Sequence, residues 1–154
     1  MAELTAKQRM SIPRQSMPQQ DALERRANFF EVAQGLSSEM AVREAERCLQ
    51  CKNQPCVEGC PVEVPIADFI LALRSGDVAE AARVIKSKNN LPAICGRVCP
   101  QESQCEMKCT LGRRHEPVAI GRLERYVADW ELGQKVAPPE KPEPTGKKVA
   151  IIGA

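Results

Sequence analysis

Cys48-Leu-Gln-Cys51-Lys-Asn-Gln-Pro-Cys56-Val-Glu-Gly-Cys60-Pro61 is answered farther along the chain by Cys95-Gly-Arg-Val-Cys99-Pro100-Gln-Glu-Ser-Gln-Cys105-Glu-Met-Lys-Cys109. All eight cysteines fall in these two runs. Thiolates are soft ligands that suit iron–sulfur clusters, and setting them on turns lets several sulfurs converge without a large fold around them. Where one chain holds two such cubes in the bacterial ferredoxins, three cysteines of a run ligate the first and a fourth, followed by proline, crosses to the second. Here each run has four thiols and one Cys-Pro, which reads as two [4Fe-4S] clusters. Applied literally, the crossover rule gives Cys48, Cys51, Cys56 and Cys109 to one cube and Cys60, Cys95, Cys99 and Cys105 to the other.

Three other chemistries use cysteine pairs. A disulfide framework needs an oxidising compartment, and residues 1–20 are polar and charged, with no apolar signal-peptide core. A structural zinc module is the stronger rival, since Cys-x2-Cys is a common half-site for a tetrahedral ion. Zinc ribbons repeat that spacing, however, and only Cys48–Cys51 has it here. A thioredoxin-like redox pair requires a βαβ setting that residues 40–70 lack.

A chain of 154 residues accommodates one domain with a tail. Three Phe, one Tyr and one Trp leave no large aromatic core, so bound clusters are expected to share the folding work. The net charge of +2 predicts no nucleic-acid partner. No apolar run approaches the ~18 residues of a membrane span, and reduced thiols point to the cytoplasm.

The expected fold is mostly α. Residues 1–17 read as an extended arm, and 18–136 as the helical cluster-binding domain. Within it, Leu23, Ala27 and Phe30 at helical spacing predict a helix from Pro18 or Asp21 to Gly35, with Phe29, Phe30 and Met40 in the core. A short helix follows Ser38. Pro65 opens a helix carrying Ile66, Phe69, Ile70 and Leu73, and Asp77 caps another carrying Val78, Ala81, Ala82 and Ile85. This hairpin is expected to be the only regular structure between the cysteine runs, ended by Asn89, Asn90 and Pro92. His115 reads as solvated surface. Pro117 opens the last helix, where Glu124 lies beside the apolar stripe of Ile120, Leu123, Val127 and Trp130, away from solvent-facing Arg122 and Arg125. A carboxylate there needs a partner or a metal, and the residues alone favour a rim glutamate that reaches out to water or pairs with an arginine. Residues 137–146, with Pro138, Pro139, Pro142 and Pro144, read as a semi-rigid linker. Residues 147–154 then read as the first strand and first glycine, Gly153, of a truncated dinucleotide-binding fold.

Several segments together support a family resemblance. They are the two cysteine runs, the early Pro18-x-Gln20-x4-Arg25-Arg26-x-Asn28-Phe29, Ile94-Cys95-Gly96-Arg97-Val98-Cys99-Pro100, Pro117-Val-Ala-Ile120-Gly121-x-Leu-Glu124-Arg-Tyr126 and the terminal Gly146-Lys-Lys-Val-Ala-Ile-Ile-Gly153. Over about residues 18–154 the chain resembles the N-terminal iron–sulfur domain of the NADPH-dependent glutamate synthase small (beta) subunit family. Similar domains occur in NADH-dependent ferredoxin:NADP oxidoreductases, sulfide dehydrogenases and dihydropyrimidine dehydrogenase. The resemblance implies a helical, alpha-helical ferredoxin-like domain with two [4Fe-4S] clusters, followed by FAD- and NADPH-binding domains. It implies electron transfer between that FAD and a larger glutamate synthase-type subunit or an equivalent redox partner, with ferredoxin-linked transhydrogenation or sulfide chemistry as alternatives. No catalytic residue is expected in this stretch, which by itself is not expected to turn over NADPH. For the ligands, the resemblance implies Cys48, Cys51, Cys56 and Cys109 at the first cube and Cys60, Cys99, Cys105 and Glu124 at the second. Cys95 is then the alternative to Glu124.

Overall fold

The structure, a computed structural model, describes residues 3–135, 142–150 and 152. The core is built from a helical hairpin laid against the last helix. α4 (Ile66–Arg74) buries Ile66, Phe69, Ile70 and Leu73, and α5 (Val78–Lys86) buries Ala81, Ala82 and Ile85. The alanines let α5 lie close to its partner. Gly76, at φ +86°, takes the left-handed position that ends α4, with Asp77 N–H donating back to Ala72 O at 3.0 Å. Asp77 Oδ1 then accepts from Glu80 N–H at 2.9 Å and starts α5. Across this hairpin lie α7 (Ile120–Leu132), through Ile120, Leu123 and Val127, and α2 (Ser38–Ala45), through Ala41 and Ala45. Two further helices carry cysteines: α3 (Pro55–Glu58) and α6 (Pro92–Val98).

α6 corrects the expectation that the hairpin is the only regular structure between the cysteine runs. Pro92 begins this helix instead of ending the previous segment, because a first-turn proline forfeits only an N–H that has no helical partner anyway. α6 runs along α7 at backbone contact. A Cβ built on Gly96 would sit 2.7 Å from Arg125 N and 2.8 Å from Arg125 Cα, so no larger residue fits there without moving a helix.

The N-terminal arm also differs from the extended reading. Residues Ala6–Ser11 form α1, started by a capping box in which Gln8 N–H donates to Thr5 Oγ1 at 3.4 Å and Thr5 N–H to Gln8 Oε1 at 2.8 Å. Its Arg9 is buried and donates to Glu46 O at 2.8 Å. Residues 18–35 are not the expected helix. The chain doubles back, pairing Gln20 N–H with Val32 O at 2.9 Å and Gln34 N–H with Pro18 O at 2.8 Å, with only a 3₁₀ turn at Arg25–Ala27. Asn28 Nδ2 bonds Gln20 Oε1 and Glu24 O, so local side chains satisfy the loop in place of a helical ladder. Leu23, Phe29 and Phe30 are consequently exposed, whereas Met40 packs against the core.

Two details of the last helix differ as well. α7 starts at Ile120, three residues after Pro117. Arg125 is buried, not solvent-facing, because residues 31–33 fold over it: its Nη2 donates to Ala33 O at 2.8 Å and pairs with Glu31 Oε2 at 3.2 Å. Arg97 of α6 joins the same carboxylate and Asp129. His115 is exposed after a 3₁₀ turn at Thr110–Arg113.

Residues 142–150 are exposed and without regular secondary structure, so the expected strand over 147–154 is not formed by the part that is described. A lone strand has no sheet to complete its hydrogen bonds. Gly153 and linker residues 137–141 lie outside the described residues. No helix among the described residues is long and apolar enough to cross a membrane.

One buried ion pair ties these parts together. Arg47, 2% exposed, donates to Glu44 Oε1 at 2.7 Å, Pro117 O at 2.9 Å, Glu116 O at 2.6 Å and Ile12 O at 3.0 Å. Glu44, 0% exposed, accepts in turn from Ala119 N–H at 2.8 Å and Gln15 N–H at 2.7 Å. Arg47→Ala strands a buried carboxylate and three carbonyls, and is expected to cost about 3–5 kcal/mol in denaturant unfolding. Arg83→Ala, which breaks the exposed pair with Glu80, should change little; equal effects from the two would contradict the assigned role of the buried pair.

Candidate metal centres

The first cysteine run folds as a loop that leaves α2 and returns to α4. Gln50, Gln54 and Glu63 hold φ of 50°, 37° and 55°, in the left-handed region that non-glycine residues rarely occupy. Such backbone costs on the order of 1–3 kcal/mol per residue and clusters at functional sites. At Gln50 and Gln54 its effect is to turn the chain between successive cysteines, and Glu63 lies just after Cys60. Gln50 Nε2 pins the loop by donating to Ala67 O at 3.0 Å, and it also reaches Cys48 Sγ at 3.4 Å. Pro55 then starts α3, which presents Cys56.

Cys48, Cys51, Cys56 and Cys109 line one cavity, closed by Leu49, Ala67, Leu111 and Val118. Three of these thiols come from the first run and one from the second. Thr110 Oγ1, next to Cys109, lies 3.3 Å from Cys51 Sγ. Burial raises the Cys48 thiol pKa and pushes that of Cys56 up to about 12, with the neighbouring thiols adding to both.

A second cavity is lined by Cys60, Cys95, Cys99, Cys105 and Glu124, with Val62, Val64, Asn89, Gln101 and Gln104. The chain crosses from one cavity to the other at Gly59. A Cβ there would lie 2.7 Å from Gln104 O and 3.1 Å from Cys105 Cα, so the absence of a side chain lets the first run press directly on the second. Cys95 and Cys99 stand one turn apart at the end of α6, and Glu124 approaches from α7. Burial pushes Cys99 up to about 11, helped by Cys95 and by the charge of Glu124. Burial likewise lifts Cys105 to about 12, with the adjacent Glu106 carboxylate adding to it. Glu124 is itself raised by burial, partly offset by a hydrogen bond from Asn89 Nδ2 at 2.7 Å.

The structure therefore gathers every candidate ligand residue among the described positions into two separate groups. Among the described residues, no three His, Cys, Asp or Glu side chains converge on one point as ligands of a single ion do; they ring the walls of two cavities instead. The donor set is rich in thiols and the walls are mostly apolar. Desolvation and mutual repulsion of the protein groups oppose thiolate formation at several of these positions. A cationic iron core would reverse that balance, and this is the sense in which the residues fit an iron–sulfur group.

Some residues of these sites carried little signal in sequence. Asn89 reads as a helix stop, yet it is buried at the second cavity and touches Glu124. Gln101, just after Cys99-Pro100, donates Nε2 to Cys95 O at 3.2 Å and fills the space over Gly121, where a Cβ would collide with its amide. Glu106 is buried beside Cys105 and is neutralised from the distant N-terminal arm by Arg14 at 2.6 Å. Only the order of polar residues around the Cys-Pro turns hints at any of these.

Comparison with known proteins agrees with the chemistry of the two cavities. The glutamate synthase [NADPH] small chain of Escherichia coli is 38% identical over 94% of this chain, covering 31% of its own length. The NAD-dependent dihydropyrimidine dehydrogenase subunit PreT of Escherichia coli is 39% identical over 90% of this chain and 32% of its own. The glutamate synthase [NADPH] small chain of Azospirillum brasilense is 39% identical over 91% of this chain and 30% of its own. The chain thus spans about a third of the length of these curated relatives. The family model described as dihydropyrimidine dehydrogenase domain II, 4Fe-4S cluster, matches residues 25–136, from the doubled-back N-terminal loop to the end of α7, and the chain belongs to that family of iron–sulfur domains.

Proposed function

We propose that this domain holds two [4Fe-4S] clusters and relays electrons between the FAD of an NADPH-dependent oxidoreductase of the glutamate synthase small-subunit type and a redox partner subunit or domain. The observation that carries the reading is the sorting of the thiols, three of one run with one of the other, around two cavities. When bound, such clusters accept and release single electrons, which a hydride-derived pair on a flavin must be split into. The chain's own part is to hold the ligands, exclude water with Leu49, Val64, Leu111 and Val118, and keep the two sites apart at the Gly59 contact. No residue acts as a catalytic acid, base or nucleophile in this reading.

For the first cluster the proposed ligands are Cys48, Cys51, Cys56 and Cys109. For the second they are Cys60, Cys99, Cys105 and Glu124, with Cys95 outside the set. Glu124 is supported by its position: a carboxylate reaching a thiol-lined cavity from α7, with one hydrogen bond from Asn89. A carboxylate is a harder ligand than a thiolate, so the second cluster is expected to have an altered potential. The FAD and NADPH sites belong to the longer protein implied by the relatives, with residues 147–154 as the first strand and Gly153 as the first glycine of that region. A larger glutamate synthase-type subunit is the proposed partner and the cytoplasm the proposed location. Transhydrogenation with ferredoxin and sulfide chemistry are served by the same ligand geometry.

Anaerobic reconstitution should load about eight iron and about eight sulfide per chain by colorimetric assay, the content of two cubes. Stoichiometric zinc without sulfide would instead establish the structural metal module. Ligand assignment is read by EPR of the reduced protein: Glu124→Ala should alter one cluster signal and Cys95→Ser neither. The reverse outcome gives the eighth position to Cys95. In the folded iron-free protein, raised pKa values mean fewer thiolates at pH 8, so Cys56 and Cys105 should alkylate at least about tenfold more slowly than an unperturbed thiol. Their rates should keep climbing with pH up to about 12, where an ordinary thiol has already levelled off; a plateau near pH 9 at both would show that burial does not govern them.

A further inference from the structure

Five potential donors, four thiols and one carboxylate, line the second cavity, one more than a cube with one ligand per iron requires. The excess calls for a selector. A thiolate is the softer and stronger iron ligand, so with equal access Cys95 would be expected to displace Glu124. Equal access is what Asn89 removes. It is buried, 7% exposed, and its amide reaches both contenders. Nδ2 donates to Glu124 Oε1 at 2.7 Å, while Oδ1 lies 3.7 Å from Cys95 Sγ, within reach of a thiol hydrogen bond.

The amide cannot turn over to reverse these roles. Oδ1 also accepts from Leu91 N–H at 2.9 Å, in the turn that joins α5 to α6, and an NH2 group at that place would face a donor with a donor. The turn therefore fixes the oxygen towards α6 and the NH2 towards α7. One carboxylate oxygen of Glu124 is held by Asn89, and among the described residues its second oxygen accepts no hydrogen bond. The Cys95 sulfur, by contrast, lies against the amide oxygen as well as against Cys99.

We propose that Asn89 is a positioning residue that selects the eighth cluster ligand, orienting the Glu124 carboxylate into the second site while holding the Cys95 thiol out of it. This rests on the reading of Glu124 as a ligand, and it adds the reason why a carboxylate prevails over a nearby thiol. Removal of the Nδ2 donor frees Glu124 to leave, and Cys95 then takes its place with loss of the thiol proton to solvent.

The test uses the reconstituted protein, with EPR line shape and midpoint potential as readouts. Asn89→Asp keeps an acceptor for Leu91 N–H, and so the turn, but replaces the donor facing Glu124 by a carboxylate oxygen. Asn89→Ala removes both contacts, and far-UV circular dichroism checks that the helices remain. Either variant should replace one cluster signal by a new one and shift that cluster's potential, with iron content retained. Adding Cys95→Ser, expected to be silent in the parent protein, should then abolish the new signal or lose iron. If the Asn89 variants keep the parent signal and potential, or if Cys95→Ser stays silent in their background, the selection is overturned. Glu124→Ala separates the two levels: no effect of it on either cluster rejects Glu124 as a ligand, whereas an effect of it with silent Asn89 variants rejects only the role of Asn89.

Discussion

The buried pair of Glu44 and Arg47 is the contact from which the geometry of both sites follows. Arg47 immediately precedes Cys48, and its guanidinium holds carbonyls at Ile12, Glu116 and Pro117. Three distant pieces of chain are thereby fixed to the residue before the first cysteine. Burying two charges is favourable only when each lone pair and each N–H finds a partner, and here Glu44 completes the set with the backbone N–H groups of Gln15 and Ala119. Because residues 116–119 lead directly into α7, the pair also sets where Glu124 stands relative to the first cysteine run. Apolar packing alone has no such directional control.

Around that fixed point, close backbone approaches do the rest. Gly59 lets the first run touch Cys105, and Gly96 lets α6 touch α7, so cysteines and Glu124 from different elements line one cavity without long side chains to bridge them. Left-handed backbone at Gln50 and Gln54 turns the loop between cysteines. This strain, together with thiols driven up in pKa by burial, opposes the folded arrangement of the loop, and an iron–sulfur group of the kind this family binds would offset both. Such a group would also complete the core of a chain with so few aromatic side chains.

The N-terminal segment has a larger part than an arm. Arg9, Arg14 and the loop at 31–33 reach, respectively, the end of α2, the buried Glu106 beside Cys105, and the buried Arg125 at the Gly96 contact. Residues before the first cysteine therefore brace both cavities from outside. They leave Phe29 and Phe30 exposed on the loop, with Leu91 exposed just before α6 and Ile94 and Val98 exposed on it.

The sequence by itself determined the chemistry and most of the helices. Eight cysteines in two runs named the metal, because ligand type and spacing are local properties of the chain; the stripes of α4, α5 and α7 were likewise legible from their periodicity, and Glu124 was visible as a carboxylate out of place on one of them. Residues 18–35 misled because three apolar residues at helical spacing are weaker than the side-chain bonds of Gln20 and Asn28 that close the loop. The capping box of Thr5 and Gln8 was in the sequence and marks α1, but what holds that helix down is Arg9 against a carbonyl thirty-seven residues away. Arg125 looked solvent-facing because a helical wheel knows nothing of a loop folded across it. The crossing of Cys60 and Cys109 and the shared place of Cys95 and Glu124 were already expected from the order of the cysteines and the family resemblance. Tertiary structure alone decided that Asn89 lies between Cys95 and Glu124 and that Arg14 reaches Glu106 beside Cys105, because these are side-chain relations between residues far apart in the chain and no local pattern encodes them.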